Sequence, residues 1–205
     1  MVLCENDLLE KRDFNNIKKL LETKFDINVI MLGNRTPIHY ASYHNDIKTL
    51  KYLINKGVDI YQKDILGYTP AQYAIGNSSV EALKLLVANG IDIREIYYIP
   101  SFGHLGQGQK RYLFDDITYH CNYELAKVIV ESGIDLNDNG KYTSYSVRGI
   151  MILDVLLGGK CKRWQSNPKN KDNLKKMEKL YREYGALSGK EIKKLNTKKE
   201  EKDAK

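Results

Sequence analysis

Short apolar segments alternate with glycine-containing turns along this chain of 205 residues. In one segment the apolar residues Ile47, Leu50, Leu53 and Ile54 fall at positions i, i+3, i+6 and i+7, a spacing that places them on one side of an α-helix. Gly57 follows, and a glycine is suited to end such a helix in the left-handed conformation. A helix of about two to three turns does not persist alone in water, so its apolar side must pack against neighbouring helices.

The same pattern returns at a fixed interval. The hexapeptide Thr-Pro-Ile-His-Tyr-Ala at residues 36–41 is followed 33 residues later by Thr-Pro-Ala-Gln-Tyr-Ala at residues 69–74. Threonine can cap a helix with its hydroxyl, and proline at the first helical position loses no needed donor. The apolar segment with its glycine comes back at Gly90 and Gly133, and weaker copies lie towards both ends of the sequence. The pattern therefore predicts repeated pairs of short helices.

These hexapeptides, together with the Leu-Leu-x-x-Gly type ending of each copy, resemble the ankyrin repeat. The resemblance implies an all-α ankyrin-repeat solenoid of about five helix–turn–helix repeats with hairpin fingers between them. We expect one domain over residues 1–192, with the outer two repeats acting as caps and a basic, disordered tail over residues 193–205. The expected repeats are residues 1–32, 33–66, 67–109, 110–148 and 149–192. Residues 188–192, Ser-Gly-Lys-Glu-Ile, are similar to the closing sequence of many bacterial ankyrin proteins.

Two insertions interrupt the period. The terminal glycines are separated by 33, then 43, then 52 residues. The first insertion, residues 94–111, is one long finger rich in glycine and aromatic residues, and loops of this kind are often functional. Its aromatic residues either bind a partner or pack over the solenoid. The second insertion divides between residues 137–148 and 158–172, which are expected on different sides of the repeat.

The resemblance also implies a binding surface. In ankyrin proteins the first-helix positions after the hexapeptide and the finger tips form the concave surface that contacts partners, and tyrosine is an effective contact residue. By register the first-helix residues are Tyr43, His44, Asn77, Tyr119 and His120. The finger residues are Arg35, Tyr61, Lys63, Ile65, Leu66 and Tyr68, and those of the insertion are Tyr97, Tyr98 and Phe102. The alternative for Tyr43 and Tyr119 is packing along neighbouring helices.

Catalytic chemistry is not indicated. His39 belongs to the hexapeptide, where the resemblance implies that it holds loop backbone by hydrogen bonds. The four histidines and three cysteines show no metal-ligand spacing. The glycine-rich stretch at 103–110 lacks the Gly-Lys-Ser/Thr ending of a phosphate loop. We therefore predict neither enzyme activity nor a metal or cofactor, and a non-catalytic module that binds a protein as inhibitor, scaffold or bacterial effector.

The net charge of +7 is concentrated at one end. Residues 160–205 carry 16 basic and 7 acidic side chains, a net +9, which leaves −2 for residues 1–159. The alternative function is therefore a binder of nucleic acid or another acidic polymer through this region, although the interspersed acidic residues make nucleic acid the less favoured partner. We expect a monomer without membrane insertion, because no stretch reaches the roughly 18 to 20 apolar residues of a membrane span. The absence of a Sec signal and the unpaired cysteines favour the cytoplasm, with non-Sec secretion into a host left open.

Overall fold

The computed structural model describes residues 27, 28, 30, 32–93, 96–99, 109–113, 117, 122–137 and 168–203. In this part of the chain there are seven α-helices, a 3-10 turn at Leu32–Asn34 and one two-stranded sheet. The helices are α1 (Pro37–Tyr43), α2 (Ile47–Asn55), α3 (Pro70–Gly76), α4 (Val80–Ala88), α5 (Tyr123–Glu131), α6 (Pro168–Glu183) and α7 (Gly189–Asp203). The strands are β1 (Ile96–Ile99) and β2 (Gln109–Tyr112). The predicted all-α repeat solenoid is confirmed, and the sheet lies largely within the predicted insertion.

The described residues belong to two compact units. Residues up to Asp92, with 97–99 and 109, form the first unit, and residues 93 and 96 with those from Lys110 onward form the second. The single domain over residues 1–192 and its five repeat boundaries stay predictions. The predicted caps upstream of residue 27 and at residues 151–156 lie outside the described residues.

Among the described residues, the first unit contains two stacked helix pairs. Pro37 and Pro70 stand in the first turns of α1 and α3, directly after Thr36 and Thr69, which occupy the N-cap positions. Helix α1 packs against α3, and α2 against α4. The residues that fill the space between them are almost completely buried, and include Ile38, Ala41, Leu50, Leu53, Ala71, Ala74, Ile75, Leu83 and Leu86. Since one helix pair buries its apolar side only against the next, stacking holds the unit together.

The glycines that end the second helices behave as their position predicts. Gly57, Gly90, Gly133 and Gly185 have φ angles of 78°, 103°, 76° and 84°. This left-handed region is costly for residues with a Cβ and open to glycine. The predicted helix ends are therefore confirmed at all four positions.

The turns inside neighbouring helix pairs are joined by hydrogen bonds. The carbonyl oxygen of Tyr43 accepts one bond from the side-chain amide of Asn77 and another from the hydroxyl of Ser79, both at 2.7 Å. The side-chain oxygen of Asn45 accepts the backbone N–H of Ala82 at 2.8 Å. These bonds satisfy polar groups at the helix ends and fix the register of one repeat on the next.

The second unit contains α5, α6 and α7. Helix α6 packs against α5, and both contribute buried residues, among them Leu125 and Ile129 of α5 and Met177 and Tyr181 of α6. Helix α6 begins at Pro168, inside the stretch 158–172 that was expected to be a loop. Proline is favoured in the first turn of a helix, which accounts for the earlier start.

Residues 193–203 are helical, which corrects the expectation of a disordered tail. Helix α7 has a local reason to form at this point. Glu191 accepts hydrogen bonds from the backbone N–H and the hydroxyl of Ser188, at 2.7 and 2.6 Å, the arrangement of a capping box. The other oxygen of Glu191 pairs with Arg182 of α6 at 3.1 Å. Because the cap and the ion pair fix the first turn, the lysine- and glutamate-rich sequence that follows continues as a helix.

Candidate functional site

Tyr73 is the centre of an aromatic cluster on α1, α3 and the adjoining fingers. Its ring centroid lies 5.3 Å from that of His39, 6.3 Å from that of Tyr43 and 6.5 Å from that of Tyr68, each in an edge-to-face arrangement. The guanidinium carbon of Arg35 lies 5.9 Å from the same centroid, within reach of a cation–π interaction. We call the surface formed by Arg35, Tyr43, Tyr68 and Tyr73, together with Ile65 at the finger tip, the tyrosine face.

Asp64 fixes the finger against Tyr73. One carboxylate oxygen accepts the backbone N–H groups of Leu66 and Tyr68, both at 2.8 Å, and the other accepts the hydroxyl of Tyr73 at 2.7 Å. Burial and the bond to Asp64 raise the pKa of Tyr73 well above its usual range. The Tyr73 hydroxyl therefore stays protonated and keeps donating to the carboxylate.

His39 supports the cluster from below the surface. Its Nδ1 accepts the backbone N–H of Thr36 at 3.1 Å, so Nε2 carries the proton and donates to the carbonyl of Tyr68 at 3.2 Å. The side chain is completely buried, and burial lowers the pKa of His39 even though the carbonyl and Asp64 oppose the shift. The predicted role of holding loop backbone is confirmed, and His39 is a neutral structural residue.

Arg35 lies half-buried between the two fingers. Its Nε is buried and has no hydrogen-bond partner among the described residues. Burial lowers the pKa of Arg35, but Tyr73, Tyr40 and Asp64 raise it by more, and the net change is upward. The fingers are joined beside it, where the backbone N–H of Ile65 donates to the carbonyl of Gly33 at 2.8 Å. The guanidinium is therefore a permanent positive charge held in one place.

The tyrosine face also exposes apolar surface. Tyr43 keeps 40% of its surface accessible and Ile65 keeps 68%. His44 packs edge-on against the ring of Tyr43, with centroids 4.9 Å apart. Leu66, next to Ile65 on the finger, is half-buried. Large apolar groups exposed on a rigid framework are suited to contact with another macromolecule.

Two predicted binding residues are used to join repeats. Tyr61 is 39% exposed, but its hydroxyl donates to the carbonyl of Gly90 at 2.6 Å and accepts the N–H of Asp92 at 3.2 Å. Asn77 is exposed, and its side-chain amide donates to the Tyr43 carbonyl. Both polar groups are occupied within the protein, so neither adds a free polar group to the tyrosine face.

The structure brings Arg35, Tyr43, His44 and Tyr68 of the predicted set into one region. Tyr119, His120 and Phe102 lie outside the described residues, as do the side chains of Tyr97 and Tyr98 in β1. Sequence reasoning missed Tyr73 and Asp64. A signal for Tyr73 was available, because the fifth position of both hexapeptides is tyrosine, whereas Asp64 becomes recognisable only when its three hydrogen bonds are seen.

The rest of the described chain offers little further chemistry. A groove of about 380 Å³ beside α5 and α6 is lined by polar residues together with Leu180 and Tyr123. The lysines that face it are paired, Lys176 with Asp172 and Lys179 with Glu183. Within the described ranges, no group of three or more His, Cys, Asp or Glu side chains could hold a metal ion. None of the helices there combines the length and apolar character needed to cross a bilayer.

Comparison with known families agrees with the geometry. The family model for ankyrin repeats, in three copies, matches residues 8–96. That span includes the two helix pairs, both hexapeptides and the whole tyrosine face. No curated protein matches the chain.

Proposed function

Because this chain is an ankyrin-repeat protein over residues 8–96, we propose that it is a non-catalytic module that binds a protein partner through its tyrosine face. Ankyrin repeats generally serve as protein–protein interaction modules. The observation that carries the proposal is the exposure of Tyr43 and Ile65 beside a Tyr73 that is already fixed by Asp64. The partner contacts one side of the repeats, where the first helices and the fingers meet.

The tyrosine face is preorganised for binding. Tyr73 is held by one hydrogen bond and by its packing against three rings and Arg35. A partner that docks on it therefore does not have to order these side chains, a cost of about 0.5–1.5 kcal/mol for each flexible side chain. A stable complex buries about 800 Å² on each partner, so the contact extends beyond these residues along the fingers. Its role is that of an inhibitor, a scaffold or an effector directed at host proteins.

The basic C-terminal region supports the alternative less well. In α6, Lys176, Lys179 and Arg182 are paired with acidic residues of the same helix, and Arg182 also pairs with Glu191. Cations that already have acidic neighbours release fewer counterions on binding a polyanion. We place the protein in a reducing compartment such as the cytoplasm, since its three cysteines show no close pairing in the sequence.

Photo-cross-linking tests the proposed function. A photoreactive phenylalanine analogue is placed at Tyr43 or at Ile65. As a control it is placed at Tyr52 of α2, where the tyrosine ring lies under the amino group of Lys56, the residue that follows the helix. Irradiation in cells is expected to give discrete protein adducts from positions 43 and 65 that are at least about tenfold weaker from position 52. Equal labelling from all three positions, or no adduct from 43 and 65, refutes the proposal.

A further inference from the structure

We propose that Arg35 recognises a carboxylate of the partner, so that the tyrosine face binds an acidic peptide segment with an apolar side chain next to the acidic residue. The inference rests on the proposed function and adds the chemistry of the bound segment. It depends on three features of the face: an unpaired cation, a neighbouring carboxylate that is already occupied, and an apolar group beside the cation.

The first feature is the state of Arg35. No carboxylate in the described part of the chain forms an ion pair with its guanidinium, and its Nε has no acceptor there. This contrasts with Arg182, which pairs with both Glu178 and Glu191. The burial of this cation is offset by Tyr73, Tyr40 and the charge of Asp64, and not by a hydrogen-bonded carboxylate, so a partner's carboxylate can add a charge-assisted bond to the guanidinium.

The second feature is the saturation of Asp64, the acidic residue whose charge acts on Arg35. Its two oxygens accept three hydrogen bonds, from Leu66, Tyr68 and Tyr73. The carboxylate therefore cannot turn towards Arg35 without giving up bonds that hold the finger. The charge of Asp64 acts on Arg35 without a direct bond between them, and the guanidinium remains open to a carboxylate from outside the described chain.

The third feature is the apolar surface at Arg35. A Cβ placed on Gly33 would stand 3.6 Å from Nε of Arg35, 3.8 Å from one of its terminal nitrogens and 3.6 Å from Cγ2 of Ile65. The guanidinium and the Ile65 methyl group are therefore neighbours next to Gly33, which has no side chain to stand between them. A segment that contacts both offers a carboxylate to Arg35 and an apolar group to Ile65.

The surroundings favour a peptide carboxylate over a phosphate-rich ligand. Arginine presents a planar fork that matches the two oxygens of a carboxylate, and here it is fixed above the ring of Tyr73. Ile65, which lies beside Arg35 at Gly33, is exposed apolar surface, and a phosphate-rich ligand would cover this surface without gaining a favourable contact. An acidic residue flanked by leucine, isoleucine or phenylalanine complements both parts.

A peptide selection on the full-length protein tests the inference. A phage-displayed library of random peptides is selected on the wild type, and the best peptide is remade with its acidic residue changed to the matching amide. We expect the selected peptides to share an acidic residue within two positions of an apolar one. Changing the peptide's acidic residue to the amide, or Arg35 to Met in the protein, is expected to lower the affinity of the peptide for the protein at least about tenfold. This is the effect of losing one charge-assisted hydrogen bond.

The two changes together give the decisive comparison. If Arg35 contacts the carboxylate, the amide peptide binds Arg35→Met about as well as the acidic peptide does, because the interaction is already lost. Independent tenfold losses that multiply overturn the inference. A phosphotyrosine peptide that binds more than about tenfold tighter than the acidic peptide also overturns it. Thermal unfolding checks the fold of Arg35→Met, and Arg35→Gln replaces it where it does not fold.

The remaining outcomes separate this inference from the proposed function. Selected peptides that lack an acidic position but lose affinity with Tyr43→Ala overturn the role of Arg35 and leave the binding face in place. Selected peptides that bind wild type, Arg35→Met and Tyr43→Ala equally well refute the proposed function too. A selection that yields no binding peptide refutes the inference alone, since a folded partner surface can still dock on the face.

Discussion

Replacing Asp64 by alanine should be among the most destabilising single changes in the first unit. The side chain is only 6% exposed, yet it joins three groups: the N–H of Leu66, the N–H of Tyr68 and the hydroxyl of Tyr73. Removing the carboxylate leaves all three donors without this acceptor. It also frees the finger from α3 and removes the support of Tyr73.

The magnitude follows from the type and number of the bonds. A hydrogen bond to a charged group contributes about 1.5–3 kcal/mol, and bonds that share one acceptor are not additive. Water can reach Leu66 and Tyr68, which are half-buried, and recovers part of the loss. We therefore expect Asp64→Ala to lower the free energy of unfolding by about 3 kcal/mol, and Tyr73→Phe, which removes one bond, to lower it by about 1–2 kcal/mol.

Urea denaturation followed by circular dichroism measures these changes. Asp59 provides a matched control on the same finger, because it is exposed and its carboxylate accepts the N–H of Tyr61 at 2.8 Å. Asp59→Ala should cost no more than about 1 kcal/mol. An Asp64→Ala variant within about 0.5 kcal/mol of the wild type would show that the three bonds do not hold the finger, and the argument for a preorganised Tyr73 would fail with it.

Three further predictions concern a contact between repeats, a helix end and the cap of α7. Tyr61→Phe removes the hydroxyl that bridges Gly90 and Asp92 and should lower stability to urea by about 1 kcal/mol, whereas Tyr184→Phe, at an exposed tyrosine, should not. Gly57→Ala should lower the free energy of unfolding by about 1 kcal/mol, because φ at this residue is 78°. Gly76→Ala is the control: this glycine is helical and has open space around it, so the change should be neutral or stabilising in the same assay. Hydrogen bonds from Ser188 and the ion pair with Arg182 lower the pKa of Glu191 from 4.5 to about 2. The contribution of Glu191 to the free energy of unfolding is therefore complete above pH 4.5 and is lost as the pH falls towards 2. An NMR titration midpoint of Glu191 near 4.5 would contradict the cap.

The helix pairs could be predicted because they depend on local chemistry. The spacing of Leu50 and Leu53 places both on the buried side of α2, and the structure buries both completely. Ile47 and Ile54, at the edges of the same stripe, are only half-buried, since the neighbouring repeat covers the centre of the stripe more fully than its margins. Gly57 could be identified as a helix end because a glycine directly after an apolar helical segment commonly takes the left-handed conformation there.

The site was less predictable because it depends on contacts between repeats. Asp64 and Tyr73 are nine residues apart and lie on different elements, and no periodicity links them. Tyr73 repeats the position of Tyr40, but that repetition alone does not show that four groups pack around its ring. The tail was misjudged for a related reason: its composition indicated a solvated end, whereas Ser188, Glu191 and Arg182 start a helix there.

Exposure alone does not separate a binding residue from a structural one in this protein. Tyr43 and Tyr61 are equally exposed, at 40% and 39%, and both are finger or first-helix residues of the predicted set. The hydroxyl of Tyr61 is committed to the next repeat, and Asn137 makes the equivalent pair of bonds with Gly185 and Leu187, four residues after its own glycine. Tyr61 and Asn137 thus bind the carbonyl and the N–H at equivalent positions of the following repeat, and both join one repeat to the next. The two tyrosines should therefore respond in opposite ways: Tyr61→Phe should reduce stability and spare partner capture, because the ring remains, whereas Tyr43→Ala should reduce capture and largely spare stability, because its backbone carbonyl still accepts from Asn77 and Ser79.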